Sequence, residues 1–167
     1  TPEVEELKIK NNFPGMEIMQ FIMEADLDKK LPLYYHQYQN IVYTGTHDNK
    51  TLWQWYQDNH KNETQTRKIK SQPETNYNDE NSEPNNKNTF SHKTREKICW
   101  NFINKVFSSS GIIAVVPLQD YLLLGKEGRM NTPGTSTGNW EWRFSWDMVS
   151  EKIATRLKKL TESTERD

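Results

Sequence analysis

Apolar positions along this 167-residue chain follow two patterns, short and mainly apolar runs and stripes at helical spacing. The runs at 16–23, 41–43 and 111–116 predict strands, and the first and third are expected to be fully buried. The stretches 1–12, 51–57, 93–107 and 145–160 predict helices. This alternation of strands and helices predicts an α/β fold with parallel strands joined by right-handed crossovers.

The two later helices are predicted from apolar residues that recur every three or four positions. In the helix at 93–107 the core-facing stripe is Ile98, Phe102, Ile103 and Val106. In the helix at 145–160 the inner face is approximately Met148, Ile153, Leu157 and Leu160.

The stretch 58–94 differs from its flanks, because it is rich in Asn, Lys, Glu, Ser and Thr and poor in apolar residues. Such a composition buries too little surface to offset the entropy of ordering, so we predict a disordered insertion. The chain then divides into segments 1–57, 58–94 and 95–167.

Composition excludes several classes of protein. With 22 basic and 23 acidic residues, the chain lacks the basic surface that a nucleic-acid partner requires. No run approaches the roughly 20 apolar residues of a membrane span. Cys99 is the one cysteine, has no companion at zinc spacing, and is predicted to be a buried, reduced thiol in a cytoplasmic protein.

Polar groups follow two of the predicted strands directly. The sequence His47-Asp48-Asn49 comes after the strand at 41–43, and Gln119-Asp120 comes after the strand at 111–116. In a (β/α) barrel the carboxyl ends of the strands carry catalytic groups. An Asx turn in which Asp48 caps the next helix explains His47-Asp48-Asn49 equally well.

The stretch 125–143 mixes amides, hydroxyls, glycines, arginines and two indoles. Sugar hydroxyls hydrogen-bond to such amides and guanidinium groups, and sugar C–H faces stack on aromatic rings. A carbohydrate cleft wall is one interpretation. An ordinary long loop packed by tryptophan is at least as well supported by composition alone.

The motifs TPEVEEL, FPGM, VYTGTHDN, PLQDYLLLG and RMNTPGTSTGNWEWR together resemble the C-terminal part of the 4-α-glucanotransferases. These enzymes, also called amylomaltases or disproportionating enzymes, form glycoside hydrolase family 77. The resemblance covers nearly all of the chain except 58–94. It implies that the chain is the C-terminal part of a (β/α)8 TIM barrel, with about strands 6–8.

The resemblance also implies roles for particular residues, with no cofactor and no metal. Asp48 matches the carboxylate that stabilises the transition state, and His47 matches a neighbouring sugar-binding histidine. The substrate-binding loop matches Asn131, Pro133, Gly134, Asn139 and Trp140. Supporting roles fall to Gln119, Asp120 and Arg129, with Asp120 expected to accept a hydrogen bond from Arg129 or from a backbone amide.

Two departures from the family pattern are visible. Lys50 stands where an acid usually follows His-Asp-Asn. The nucleophilic Asp and the acid/base Glu of the family match no position in this chain. The resemblance therefore implies an enzyme acting on α-1,4-glucans such as maltodextrins and maltotriose, with glucose as product or acceptor. The isolated chain is expected to be inactive without the missing N-terminal part of the barrel. A catalytically inactive, glucan-binding remnant is the alternative.

Overall fold

The computed structural model describes residues 1–25, 40–60 and 90–166. The strands are β1 (Met16–Ile18), β2 (Ile41–Tyr43) and β3 (Ile113–Val115). The helices are α1 (Pro2–Lys10), α2 (Met19–Ala25), α3 (Leu52–Asn59), α4 (His92–Phe107), α5 (Leu118–Tyr121) and α6 (Glu151–Ser163). Most of the predicted insertion, 61–89, lies outside the described residues, whereas its two flanks belong to α3 and to the start of α4.

The three strands form one parallel sheet in the order β1-β2-β3. Met16 pairs with Ile41, and Ile41 pairs with Ile113 on the other side. The sheet with its flanking helices confirms the predicted α/β class. Because all three strands run the same way, their carboxyl ends meet at one edge, and the segments after Tyr43 and Val115 leave the sheet side by side.

The first predicted strand is wrong over most of its length. Only 16–18 is extended, and the chain turns into α2 at Met19. Met19 is buried and Met23 packs partly against the core, so these two residues share one helical face at a spacing of four. The run is apolar except for Glu17 and Gln20, and its period could not separate a strand from a helix.

The third predicted strand is present but is not fully buried. Ile113 is 49% exposed and Met16, on the opposite edge strand, is 62% exposed, whereas Val42 on the central strand is 0% exposed. A strand at the edge of a sheet has a neighbour on one side only, and no described element covers these side chains.

The core lies between the sheet and helices α3 and α4. Its buried members are Met19, Val42, Leu52, Trp53, Trp55, Cys99, Trp100, Phe102, Ile103, Val106, Phe107 and Leu123. The predicted stripe of the helix at 93–107 is confirmed, with Ile98 only partly buried. Cys99 is a free thiol, and burial, aided by the charge of Asp120, raises its pKa to about 12.

Helix α6 begins at Glu151 rather than at 145, since 146–148 form a single 3-10 turn. Ile153, Leu157 and Leu160 pack against the core as predicted, whereas Met148 is exposed. Arg156 lies 4.0 Å above the Trp100 ring and donates a 3.0 Å hydrogen bond to Glu96. These contacts fasten α6 to α4.

Candidate functional site

The segment that joins β2 to α3, residues 45–51, is here called the His47 loop. The Thr46 amide and hydroxyl both donate to Asn49 Oδ1, at 2.8 and 2.7 Å, which closes a tight turn. The N-cap of α3 is Thr51, whose side chain accepts from the Gln54 amide. Asp48 is therefore not the helix cap, and that interpretation of the sequence is wrong.

The Asp48 carboxylate lies half exposed beside His47. Asn131 Nδ2 donates a 2.6 Å hydrogen bond to Asp48 Oδ1, and His47 Nε2 lies 3.4 Å from the same oxygen. The side chains of His47 and Asp48 are 57% and 50% exposed. Among the described residues Asp48 Oδ2 has no hydrogen-bond partner, so this oxygen is open to a ligand.

A second loop, residues 129–140, here called the Asn131 loop, lies against the His47 loop. The Asn131 amide donates to the His47 carbonyl at 3.1 Å. Arg129 Nη2 donates to the Asp48 carbonyl at 3.3 Å, and its Nε donates to the Asn131 carbonyl at 2.9 Å. Arg129 thus joins the backbones of the two loops and does not contact the Asp48 carboxylate with a hydrogen bond.

Trp140 lies beside His47 at the base of the Asn131 loop. The two rings are 5.1 Å apart at 45°, and the Trp140 amide donates to the Met130 carbonyl at 2.6 Å. Trp140 has φ +65°, a conformation that non-glycine residues adopt at a cost.

Three further residues predicted to bind substrate belong to this loop: Pro133, Gly134 and Asn139. Asn139 Oδ1 accepts from the Thr132 amide at 2.8 Å, so Asn139 fastens the loop to itself. Pro133 and Gly134 form the exposed tip, where Gly134 has φ +83°. The structure therefore brings Asn131 and Trp140 to His47 and Asp48, whereas among the described residues Pro133, Gly134 and Asn139 form no hydrogen bond with that pair.

A cleft of about 150 Å³ opens between the His47 loop and the segment 117–130. Gln119, Asp120 and Arg129 are among the residues that line it, together with His47 and Lys50. The cleft lies at the carboxyl ends of β2 and β3, where the sequence placed polar groups.

Asp120 is buried at the back of this cleft, with 1% exposure. Its Oδ1 accepts from the Leu52 amide at 2.8 Å, and its Oδ2 accepts from the Thr44 hydroxyl at 2.6 Å. The backbone amide was one of two expected partners, and Arg129, the other, makes its hydrogen bonds elsewhere. Burial raises the pKa of Asp120 to about 6, against the opposing effect of the two hydrogen bonds.

Sequence reasoning missed several residues that hold the site. Gln20 Nε2 donates to the Lys50 carbonyl at 2.9 Å, and Thr51 Oγ1 donates to the Gly125 carbonyl at 3.1 Å. Gln20 could have been found, because it is the one amide within an apolar run. Lys50, the departure from the family pattern, forms a 2.8 Å ion pair with Asp58.

Among the described residues, no helix is long and apolar enough to cross a membrane. Within the same ranges, no group of three or more His, Cys, Asp and Glu could hold a metal ion.

Together these observations define an α/β protein with two carboxylates beyond the carboxyl ends of its parallel strands. Asp120 lines the cleft, and Asp48, next to the cleft residue His47, lies half exposed. The sequence profile of glycoside hydrolase family 77, described as 4-alpha-glucanotransferase, matches residues 1–149. The chain therefore belongs to this family.

Known proteins agree with this assignment. The chain is 37% identical over 163 residues to the 4-alpha-glucanotransferase of Synechocystis sp., covering 97% of this chain and 28% of that protein. It is 33% identical over 172 residues to the enzyme of Thermus thermophilus, covering 99% of this chain and 31% of that protein. The chain thus spans less than a third of the relatives it matches and corresponds to their C-terminal portion.

A solved structure shows the same fold. The amylomaltase from Streptococcus agalactiae in complex with acarbose superposes with a TM-score of 0.72 at 23% identity. The match covers 99% of this chain and 30% of that one.

Proposed function

We propose that this chain forms the C-terminal part of the active site of a 4-α-glucanotransferase, built on strands 6–8 of a (β/α)8 barrel. The proposal rests mainly on the geometry of the Asp48 carboxylate. It is half exposed at the carboxyl end of β2, and Asn131 fixes one oxygen while the other is open.

Asp48 would stabilise the transition state of a retaining double displacement. In such a reaction a nucleophilic carboxylate displaces the leaving glucan and forms a covalent glycosyl-enzyme, while a second acid protonates the leaving oxygen. The acceptor hydroxyl then attacks the same carbon, and the second carboxyl group takes up its proton. The sugar ring carries positive charge in both transition states, so a fixed carboxylate that binds its hydroxyls lowers both barriers.

The substrates we propose are α-1,4-glucans, with maltodextrins and maltotriose as donors and a glucan or glucose as acceptor. His47 donates to a sugar hydroxyl and Trp140 offers a ring face to a pyranose, since the two rings lie together beside Asp48. Pro133, Gly134 and Asn139 shape the loop that covers the acceptor. The Streptococcus agalactiae neighbour, whose structure holds acarbose, supports this class of ligand.

The nucleophile and the acid/base would come from the N-terminal part of the barrel, because no position of this chain matches them. We therefore propose that the isolated 167-residue chain does not carry out transfer. We propose the cytoplasm as its location from the single buried thiol, although plant relatives carry the description chloroplastic/amyloplastic.

A chimera tests the proposal. In the chimera, this chain replaces the matching C-terminal region of the Synechocystis enzyme. The chimera is incubated with maltotriose, and the formation of glucose and longer maltodextrins is measured. We expect transfer by the chimera and none by the chain alone. A chimera that melts cooperatively and binds maltodextrin without transfer would instead support the inactive remnant. Full turnover by the isolated chain would contradict the proposed division of the site.

A further inference from the structure

One buried carboxylate holds both ends of the loop that carries Asp48. Thr44, the first residue after β2, donates its hydroxyl to Asp120 Oδ2, and Leu52, the first residue of α3, donates its amide to Oδ1. The His47 loop, 45–51, lies between these two donors. Asp120 itself belongs to α5, which follows the neighbouring strand.

We propose that Asp120 is a positioning residue, which fixes the His47 loop so that Asp48 faces the bound sugar. This inference rests on the proposed function of Asp48. Asp120 acts through Thr44 and Leu52, because its own carboxylate is buried behind the loop.

The chemistry of the two partners selects a carboxylate. Both are donors, an N–H and an O–H, and an ionised carboxyl group accepts on both oxygens. An asparagine has one acceptor oxygen, and its NH₂ group would face the Thr44 hydroxyl instead. The Thr44 oxygen could accept that N–H only with its own O–H turned away from residue 120, and a hydrogen bond to a charged acceptor would become one between neutral groups.

The carboxylate is also a costly way to fasten a loop. Burial of a charge without an opposite charge disfavours the folded state, and among the described residues no basic side chain forms an ion pair with Asp120. The charge reaches Cys99 on α4 and Tyr121 on α5, where it adds to the effect of burial in raising the pKa of each group. Retaining a charge at this cost points to a role in geometry rather than in stability.

The backbone amide of Asn131 reports the position of the His47 loop, since it donates to the His47 carbonyl. In the 167-residue chain, hydrogen exchange of this amide is followed by NMR for wild type, Asp120→Asn, Thr44→Val and Thr44→Ser. We expect exchange to accelerate by about tenfold or more in Asp120→Asn and Thr44→Val. Thr44→Ser, which keeps the hydroxyl, should recover the wild-type rate. Asp147→Asn, on the exposed 3-10 turn, is the matched control.

Activity of the chimera supplies a second readout. A misplacement of about 1 Å can cost about 10²-fold in rate, so kcat should fall by about that factor in Asp120→Asn while KM changes little. The melting temperature at neutral pH should stay level or rise, because a buried charge is removed. If the role of Asp120 were purely structural, Asp120→Asn would lower kcat and the melting temperature together.

Two results would overturn the inference: unchanged exchange at Asn131 in both variants, or a loss of kcat that follows a lowered melting temperature. A wild-type chimera without transfer, combined with accelerated exchange in the variants, would contradict the function proposed for Asp48. The same result would still show that Asp120 fixes the His47 loop.

Discussion

At the scale of residues, the site depends on how single polar groups are held. Asp48 is exposed on one side and tied to Asn131 on the other, while Asp120 is buried and accepts from two donors. The motifs VYTGTHDN and PLQDYLLLG identified Asp48 and Asp120 as carboxylates at strand ends. They could not show which oxygen each donor reaches, because Thr44, Leu52 and Asn131 are far from their partners in sequence.

Substitution of Asn131 tests the hold on Asp48. Asn131→Leu removes the donor to Asp48 Oδ1 but leaves the backbone bond to His47 in place. We expect the chimera to lose about tenfold in kcat for maltotriose, as hydrogen bonds to charged groups contribute about 1.5–3 kcal/mol. Asn104→Leu, on the exposed face of α4, is the matched control and should keep full activity. Equal loss in both variants would show that the Leu substitution acts through solubility or folding.

The buried Asp120 predicts a dependence of stability on pH. Its pKa is about 6 in the folded chain against an ordinary 3.8, so the folded chain binds more protons between these values. The contribution of Asp120 to stability therefore falls as pH rises from about 4 to about 6 and is constant above. Asp120→Asn lacks this dependence on pH. The free energy of unfolding of Asp120→Asn minus that of wild type should therefore increase from about pH 4 to about pH 6. Urea unfolding at pH values from about 4 to about 8 measures it, and a difference independent of pH would contradict the raised pKa.

At the scale of elements, hydrophobic patterning was reliable for α4, whereas the helix predicted from 145 begins only at Glu151. The helix at 93–107 was predicted within one residue of α4 (His92–Phe107), because its stripe has a clear period. The run 16–23 failed, since 16–18 pairs with β2 while 19–25 turns to place Met19 in the core. A short apolar run is consistent with either element until its neighbours are known.

The end of α4 is fastened by an arginine that sequence analysis did not single out. Arg166, just after α6, donates to the carbonyls of Phe107, Ser109 and Gly111 at 2.6, 2.6 and 2.8 Å. These carbonyls lie at the end of α4 and on the path to β3. Arg166 thus ties three elements at the end of the sheet opposite the cleft.

Arg166→Ala should lower the free energy of unfolding by about 2 kcal/mol, because charge-assisted hydrogen bonds to three backbone carbonyls are lost. Lys159→Ala, exposed on α6, should change it by less than about 0.5 kcal/mol. Urea unfolding of the 167-residue chain distinguishes the two. A similar small effect for both variants would show that the arginine contacts are dispensable.

At the scale of the whole molecule, the fold class followed from the alternation of strands and helices, and the family followed from the motifs. The segment 61–89 lies outside the described residues, but aromatic contacts join its two flanks. His60 stacks on Tyr56 at 4.0 Å, and Phe90 meets the same ring edge-on at 6.1 Å. Residues 60 and 90 are therefore near one another.

Replacement of 61–89 by a short Gly/Ser linker should leave the melting temperature nearly unchanged, because each doubling of loop length costs only about 0.6 kcal/mol. Phe90→Ala should lower it more, as it removes ring contacts with Trp53 and Tyr56. Circular dichroism of the two variants measures the difference. Loss of cooperative melting in the linker variant alone would show that 61–89 contributes to the fold.

The role proposed for Asp48 is tested most directly by the initial rate of glucose release from maltotriose by the chimera with Asp48→Asn. Because Asn keeps the shape and removes the charge, kcat should fall by at least about 10²-fold. Melting temperature and the activity of the Asp147→Asn control should stay at wild-type values. A chimera with Asp48→Asn that transfers glucan at the wild-type rate would contradict this role, since Asp48 would then not stabilise the transition state.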